Sequence, residues 1–296
     1  MRNLPLPSRD SASNDLAVAI RQYRYRQELR GHAITQEEID AVLKLYDNYD
    51  DDLGAPCEAL KGGVFPAALI DALETAYDKT QEGRQLSALR EALFKGVKLC
   101  PICGIDPAVE LDHFLPRSVF KPLAIYARNL VPICHACNHT KLAGFGDIAA
   151  DESHFIHAYF DALPDVQFLS AHTEIRDGGL IVDFAVSSEA IFPAGIAERL
   201  TQQMKSLKLN QRYESEVNTY ICSHAAALHI QYSTDGQQAV RRFLLLQARY
   251  EVRAFYKNHW RPTLLSALAG NNGFTAGGFI EVLPMPDDLL DDLVSG

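Results

Sequence analysis

Apolar side chains recur at helical spacing through the first third of the chain. Leu16, Ile20 and Tyr23 form one stripe within residues 16–30, with Arg21, Arg24, Arg26 and Arg30 beside or opposite it. This stretch predicts a helix, either a basic one that tracks phosphates or a surface helix whose arginines snorkel. A second helix is predicted from Thr35, where Thr-x-x-Glu38 forms a capping box followed by Ile39, Val42, Leu43 and Tyr46. Residues 66–78 and 84–95 repeat the amphipathic pattern, and 151–162 predicts a further helix. The period then changes: residues 166–186 hold two β-rich runs around Asp177-Gly178-Gly179, a hairpin signal. From Gly195 to about Ala269 helical spacing returns, through Ile196, Leu200, Met204 and Leu207 and then Val240, Phe243 and Leu244. The glycine-rich stretch 270–279 reads as a loop or a tight packing turn. Together these elements predict a mostly helical α+β protein with its β-structure confined to small units.

Composition narrows the class. With 296 residues, 47% hydrophobic and 22% charged, the chain is long enough for one large domain or two ordinary ones and carries no low-complexity bias. No apolar run approaches the roughly 18–20 residues needed to span a bilayer. Residues 1–15 are polar, lack the apolar core of a signal peptide and are expected to fray, so a cytoplasmic protein without membrane partners is expected. The net charge of −10 is awkward for a nucleic-acid enzyme, because phosphate contacts come from Lys and Arg. The charge is uneven, however: residues 95–145 hold six Lys and Arg against three Asp and Glu. The acidic excess sits in Asp47–Asp52 and in residues 286–292, expected as solvated faces and a disordered end, or as a surface for a basic partner.

The cysteines carry the first chemistry. Cys57 and Cys222 stand alone and are expected to be buried thiols. Cys100-Pro-Ile-Cys103 and Cys134-His-Ala-Cys137 are two CxxC knuckles, and in a reducing compartment this spacing argues for a metal rather than disulfides. Two knuckles complete a tetrahedral sulfur site suited to Zn²⁺, closed to substrate and therefore structural.

Between and just beyond the knuckles lie residues that a zinc staple does not need. Leu111-Asp112-His113-Phe114-Leu115-Pro116-Arg117-Ser118 sets an acid beside a histidine on a short predicted strand; Asn129 precedes the second knuckle, and Asn138 and Lys141 follow it. This order resembles the HNH, or ββα-metal, nucleases, over about residues 98–145. The resemblance implies a zinc-bound ββα unit (98–150) between a helical N-terminal region (1–97) and a C-terminal region of hairpin plus helices (151–296). It implies a DNA endonuclease, RNA not being excluded. His113 would be the general base, since a neutral imidazole suits proton abstraction near pH 7. Asp112 and Asn138 would hold a catalytic divalent ion, Mg²⁺ or Mn²⁺, with His139 as the alternative last ligand; hard oxygen donors suit such ions. Asn129 would brace the loop bearing the base. Arg117, Lys141 and His139 are phosphate-contact candidates, and His135, inside the second knuckle, would face solvent or phosphate or else replace a cysteine ligand.

Analogy with how such nucleases are deployed implies a defence or mobile-element effector, with a protein partner such as an ATPase and self-association into a homodimer. The competing function is a four-cysteine zinc finger that binds nucleic acid or protein without cutting. Other candidates are weaker: His154 and His157 have the i,i+3 spacing of a metal pair but sit more naturally on an amphipathic face, His224 and His229 lack ligand spacing, and Trp260 reads as a core or interface anchor.

Overall fold

Helix α1 (Ala12–Ala19) buries Leu16 and ends at Ile20 instead of continuing to residue 30. The chain then forms a hairpin, β1 (Tyr23–Tyr25) and β2 (Glu28–Arg30), with Tyr23 opposite Arg30 and Tyr25 opposite Glu28. This corrects the expected helix over 16–30. The turn residues Arg26 and Gln27 both adopt positive φ (48° and 69°), as a two-residue turn matched to strand twist requires. Gly31 closes the hairpin base at φ 82°, where a Cβ would lie 2.7 Å from the Arg21 carbonyl oxygen, so only glycine fits.

Helix α2 (Gln36–Asp51) begins at the predicted capping box: the Glu38 amide donates to the Thr35 hydroxyl (3.2 Å) and the Thr35 amide to the Glu38 carboxylate (2.9 Å). It buries Ile39, Val42, Leu45, Tyr46 and Tyr49. Its acidic end is not simply a solvated face, because Asp50 accepts from Arg128 (2.6 Å), Tyr126 (2.6 Å) and Arg9 (3.2 Å). Helices α3 (Ala67–Ala76) and α4 (Ser87–Phe94) fall within their predicted spans. Strands β3 (Glu110–His113) and β4 (Leu130–Ile133) pair antiparallel with His113 opposite Leu130, and α5 (His135–Lys141) follows, completing a β–β–α order. Leu93 of α4 joins Leu111, Ala127 and Leu130 in a buried cluster that ties the helices to one side of this pair. A short antiparallel pair, β5 (Gly146–Asp147) and β6 (Glu152–Ser153), comes next.

The computed structural model describes residues 1–142, 144–147, 152–153, 155–286 and 288–289. It divides into two units: residues 2–162 with 198–207, and residues 163–197 with 208–296 and Met1. Helices α1–α4 and the β–β–α order lie together in the first of these. The first residues do not fray either. Arg2 and Leu4 donate backbone hydrogen bonds to Pro101 (3.0 Å) and Ala158 (2.9 Å), and Arg128 donates to the Pro7 carbonyl (2.9 Å).

Residues 155–162 are turns rather than the expected helix, and His154 lies outside the described residues. The backbone groups a helix would pair internally have tertiary partners here. In the same unit α6 (Ile196–Ser206) supplies Gln203, which accepts from the Ile156 amide (3.0 Å), and Arg199, which pairs with Asp161. Leu4 and Asn3 occupy the Ala158 carbonyl.

The second unit opens with the predicted hairpin, β7 (Leu169–Arg176) and β8 (Gly179–Val186), turning at Asp177 and Gly178 (φ 52° and 72°). Helices α7 (Leu209–Cys222), α8 (Ala225–Ala254, kinked at Asp235 and Gly236) and α9 (Trp260–Gly270) follow, with α9 packed on α8 and β7. Trp260 is a buried core anchor. The glycine-rich segment is not a loop: a π-helical turn (Phe274–Gly278) leads into α10 (Phe279–Val282). It does pack tightly, since a Cβ on Gly278 would sit 2.6 Å from the Gly273 carbonyl oxygen. Cys222, on the last residue of α7, is exposed and Cys57 is half-buried, so neither is the expected buried thiol. About half the chain is helical and every sheet among the described residues is a two-stranded antiparallel pair, an α+β, mostly helical protein.

Candidate active site and metal centre

The four knuckle cysteines are buried, and their sulfur atoms all lie within 4.8 Å of one another. The knuckles shape this geometry locally. The Gly104 amide donates to the Cys100 carbonyl at positive φ, the Ile105 amide donates to the Cys103 sulfur (3.4 Å), and the Cys137 amide donates to the Cys134 sulfur (3.4 Å). Amides aimed at sulfur favour thiolates. Hydrogen bonds from Cys100, Cys134 and Cys137 hold the Cys103 thiol below its ordinary range, whereas burial pushes Cys100 up. Four thiolates cannot share a buried space this small without a cation, and a soft tetrahedral sulfur set fits a structural metal such as zinc. Among the described residues this is the only group of three or more Cys, His, Asp or Glu side chains with ligand atoms so close.

Side chains of β3 alternate, so Glu110 and Asp112 share one face and His113 takes the other. On the first face α5 packs against β3. The Asn138 amide nitrogen donates to one Glu110 oxygen (2.7 Å), and His135 Nδ1 meets the other (2.7 Å). Burial pushes the Glu110 carboxyl up, but the bonds from Asn138 and His135 outweigh it and hold the group below its usual range. His139 stacks on His135 with ring centroids 5.8 Å apart, on the exposed side of α5. Asp112 is buried and meets Lys141 Nζ at 2.9 Å; burial outweighs the lysine and leaves its carboxyl raised.

Lys141 is therefore not the expected phosphate clamp. Its side chain is 2% exposed, and its ammonium also donates to the backbone carbonyls of His113 (2.9 Å) and Phe114 (3.2 Å). The acidic partner across the helix–strand contact draws it inward.

His113 Nε2 lies 2.9 Å from the Ala124 carbonyl oxygen. A carbonyl only accepts, so Nε2 carries the proton and Nδ1 keeps its lone pair. Burial, with Arg117 and Lys141 nearby, lowers its pKa from 6.5 to about 4, so the ring is neutral near pH 7. Tyr77 packs edge-on against the imidazole (4.5 Å between centroids) and donates to the Leu111 carbonyl (2.9 Å). The Arg117 guanidinium lies over the Tyr77 ring, 4.9 Å from its centre. His113 and Arg117 thus meet around Tyr77.

Asn129 is fully buried and holds the chain that leaves β3. Its Oδ1 accepts from the Leu115 amide (2.8 Å), and its Nδ2 donates to the carbonyls of Leu115 (3.1 Å) and Leu123 (3.3 Å). Behind it stands a pair that sequence reasoning missed. Tyr49 of α2 donates to Asn129 Oδ1 (3.2 Å) and accepts from His157 Nε2 (2.9 Å), while His157 Nδ1 accepts from the Tyr159 amide (3.1 Å). His157, the described half of the candidate pair with His154, is committed to this relay rather than to a metal. Glu110 was missed as a site residue although it lies two positions before Asp112, the spacing that shares a strand face.

His157 gives a pH signature. Burial lowers its pKa from 6.5 to about 3, and protonation would put a hydrogen on Nδ1 against the Tyr159 amide. A base with a depressed folded pKa gives its full stability above the unfolded pKa. Stability should therefore fall as pH drops from about 6.5 towards 3, at up to about 1.4 kcal/mol per pH unit. Denaturant titrations of the wild type and His157→Gln check this: the variant should show a shallower fall, and equal slopes would refute the assignment.

The fold and centre together define an α+β, mostly helical protein built around a buried four-cysteine cluster compatible with a zinc staple. No protein-family model and no solved structure matches the chain. Among curated proteins it is similar to Protein ea31 of Escherichia phage lambda, 28% identical over 303 positions that span 94% of this chain and all of that protein.

Proposed function

We propose that the chain is a metal-dependent HNH endonuclease that hydrolyses phosphodiester bonds of DNA. One observation carries the reading: a histidine with Nε2 fixed to the Ala124 carbonyl, and hence a basic Nδ1, sits at the end of a strand whose Glu110 meets the Asn138 amide and whose Asp112 meets Lys141, both on α5. The cysteine cluster ties the start of that helix to the preceding knuckle. A zinc finger that only binds has no use for this arrangement.

In the proposed reaction His113 Nδ1 takes a proton from water as the water oxygen bonds to phosphorus. The bond from phosphorus to the 3′-oxygen breaks, and that oxygen leaves with a proton from solvent. Tyr77 and the Ala124 carbonyl fix the imidazole plane. Asn129 holds the segment from Leu115 onward, which places Arg117 where it can neutralise a phosphate oxygen. A hard divalent ion such as Mg²⁺ or Mn²⁺ would polarise the phosphate and stabilise the leaving oxygen. Its donors would be Asp112 and Asn138 Oδ1, with Glu110 beside them, a small all-oxygen set of the kind Mg²⁺ completes with water. His139 is the outer alternative, and exposed on α5 it can reach substrate phosphate.

The relative belongs to a phage, which favours a mobile-element setting for the nuclease over a cellular defence role. A protein partner such as an ATPase, a homodimer and a cytoplasmic location belong to the same proposal. Among the described residues no helix is long and apolar enough to cross a membrane.

His113→Ala tests the reading on supercoiled plasmid with magnesium. We expect nicking to fall about a hundredfold or more while the chain stays folded and keeps its zinc. Undiminished nicking by a folded, zinc-loaded variant would return the chain to the binding-module class.

A further inference from the structure

Residues 21–30, Arg-Gln-Tyr-Arg-Tyr-Arg-Gln-Glu-Leu-Arg, are all exposed, ten in succession. They form the β1–β2 hairpin and the residues leading into it, and they hold four arginines and one acid in a chain of net charge −10. No side chain of either strand is buried, so the arm adds nothing to the core. An isolated two-stranded hairpin is marginal in water, and this one is held in shape by its own surface contacts. Its turn also forgoes the residues that turn best. Arg26 and Gln27 both sit at positive φ, where Asn or Gly would relieve strain. The long side chains are kept at the tip at the expense of backbone comfort.

We propose that this arm docks duplex DNA, with Arg21, Arg24, Arg26 and Arg30 on phosphates along the groove that receives the ribbon. The inference rests on the nuclease reading for the nature of the partner. None of the residues placed in the cutting site lies in the arm. Guanidinium forks match phosphate oxygens, and the negative backbone is the complement of this strongly basic exposed segment. Three residues per strand at about 3.3 Å each, plus the turn, reach roughly 12 Å, enough to enter a major groove about 12 Å wide and 8.5 Å deep. A single strand is the poorer fit, because a stacking platform needs open aromatic faces. The Tyr25 ring is already flanked by the guanidiniums of Arg26 (5.3 Å) and Arg30 (5.0 Å), and Tyr23 packs beside Gly31.

The test measures binding, not cutting. The full chain is titrated onto a fluorescent duplex of about 25 base pairs, without magnesium, across about 50–200 mM salt, beside the triple variant Arg24→Ala/Arg26→Ala/Arg30→Ala. We expect the triple variant to bind at least tenfold more weakly at about 100 mM salt. The slope of log affinity against log salt should fall by about 2.7, or 0.9 for each phosphate no longer neutralised. The matching Arg→Lys triple should keep most of the affinity, and all three proteins should melt alike because the arm is exposed. Unchanged duplex affinity in the alanine triple, no duplex binding by the wild type, or tighter binding to the single-stranded oligonucleotide would each overturn the proposal. Arm-dependent binding by a wild type that never nicks plasmid would sink the nuclease reading and leave the arm standing. Nicking by a wild type whose arm variant binds equally well would do the reverse.

Discussion

Cys103→Ser or Cys134→Ser is expected to lose the bound zinc and unfold the β–β–α unit. The four sulfurs fill one buried space within 4.8 Å, and serine offers a harder, shorter donor that cannot complete a tetrahedral thiolate set. Structural zinc contributes on the order of 10 kcal/mol of binding free energy that appears as folding free energy, comparable with the whole stability of a domain. The loss should spread beyond the knuckles. Cys134 is the N-cap of α5, and α5 supplies Lys141 and Asn138 to β3, so release of one sulfur frees both groups. Native mass spectrometry and thermal melting check the outcome together. The wild type should carry one zinc per chain, the variants none, with a lower or non-cooperative melt. Cys222→Ser, at an exposed position, should change neither readout. A Cys103→Ser chain that keeps one equivalent of zinc and the wild-type melt would show that the cluster is not the staple.

Much of this centre was legible because it is written in local spacing. Two CxxC knuckles place their own sulfurs, the capping box at Thr35 needs only residues three apart, and Asp177-Gly178 fixes a turn by its own backbone. What escaped depended on distant partners or on strain. The helical stripe Leu16–Ile20–Tyr23 runs on past Ile20 because nothing in Arg26-Gln27 signals a turn. The 151–162 stretch has helical patterning, yet Gln203, Asn3 and Leu4 take its backbone groups from far along the chain. Residues 1–15 looked frayed because their partners, Pro101, Ala158 and Arg128, are remote in sequence. Lysine is usually exposed, so the burial of Lys141 follows only from the register that sets α5 against β3. In the sequence Glu110 reads as charge alone, because its partners, His135 and Asn138, meet it only across that same contact.

Lys141→Met should destabilise the protein by about 3–5 kcal/mol, the range for removing one member of a buried ion pair. The side chains are 2% and 8% exposed at a separation of 2.9 Å, so the substitution strands the Asp112 carboxylate away from water. It also leaves the carbonyls of His113 and Phe114 without their donor, which loosens the strand end that carries the imidazole. Adding Asp112→Asn to Lys141→Met should recover part of the loss, because the orphaned charge is gone; a double-mutant cycle from urea titrations reads this coupling directly. The same variant separates the two roles open to Asp112. If Asp112 is a ligand for the catalytic ion, magnesium replaces the missing ammonium, and a millimolar addition should raise the melting temperature of Lys141→Met by more than that of the wild type. An equal response in both proteins would leave Asp112 as a structural partner of Lys141 and move the ion towards Glu110 and Asn138. A Lys141→Met chain as stable as the wild type would show instead that the ion pair contributes no net stability to the helix–strand contact on which the candidate site is built.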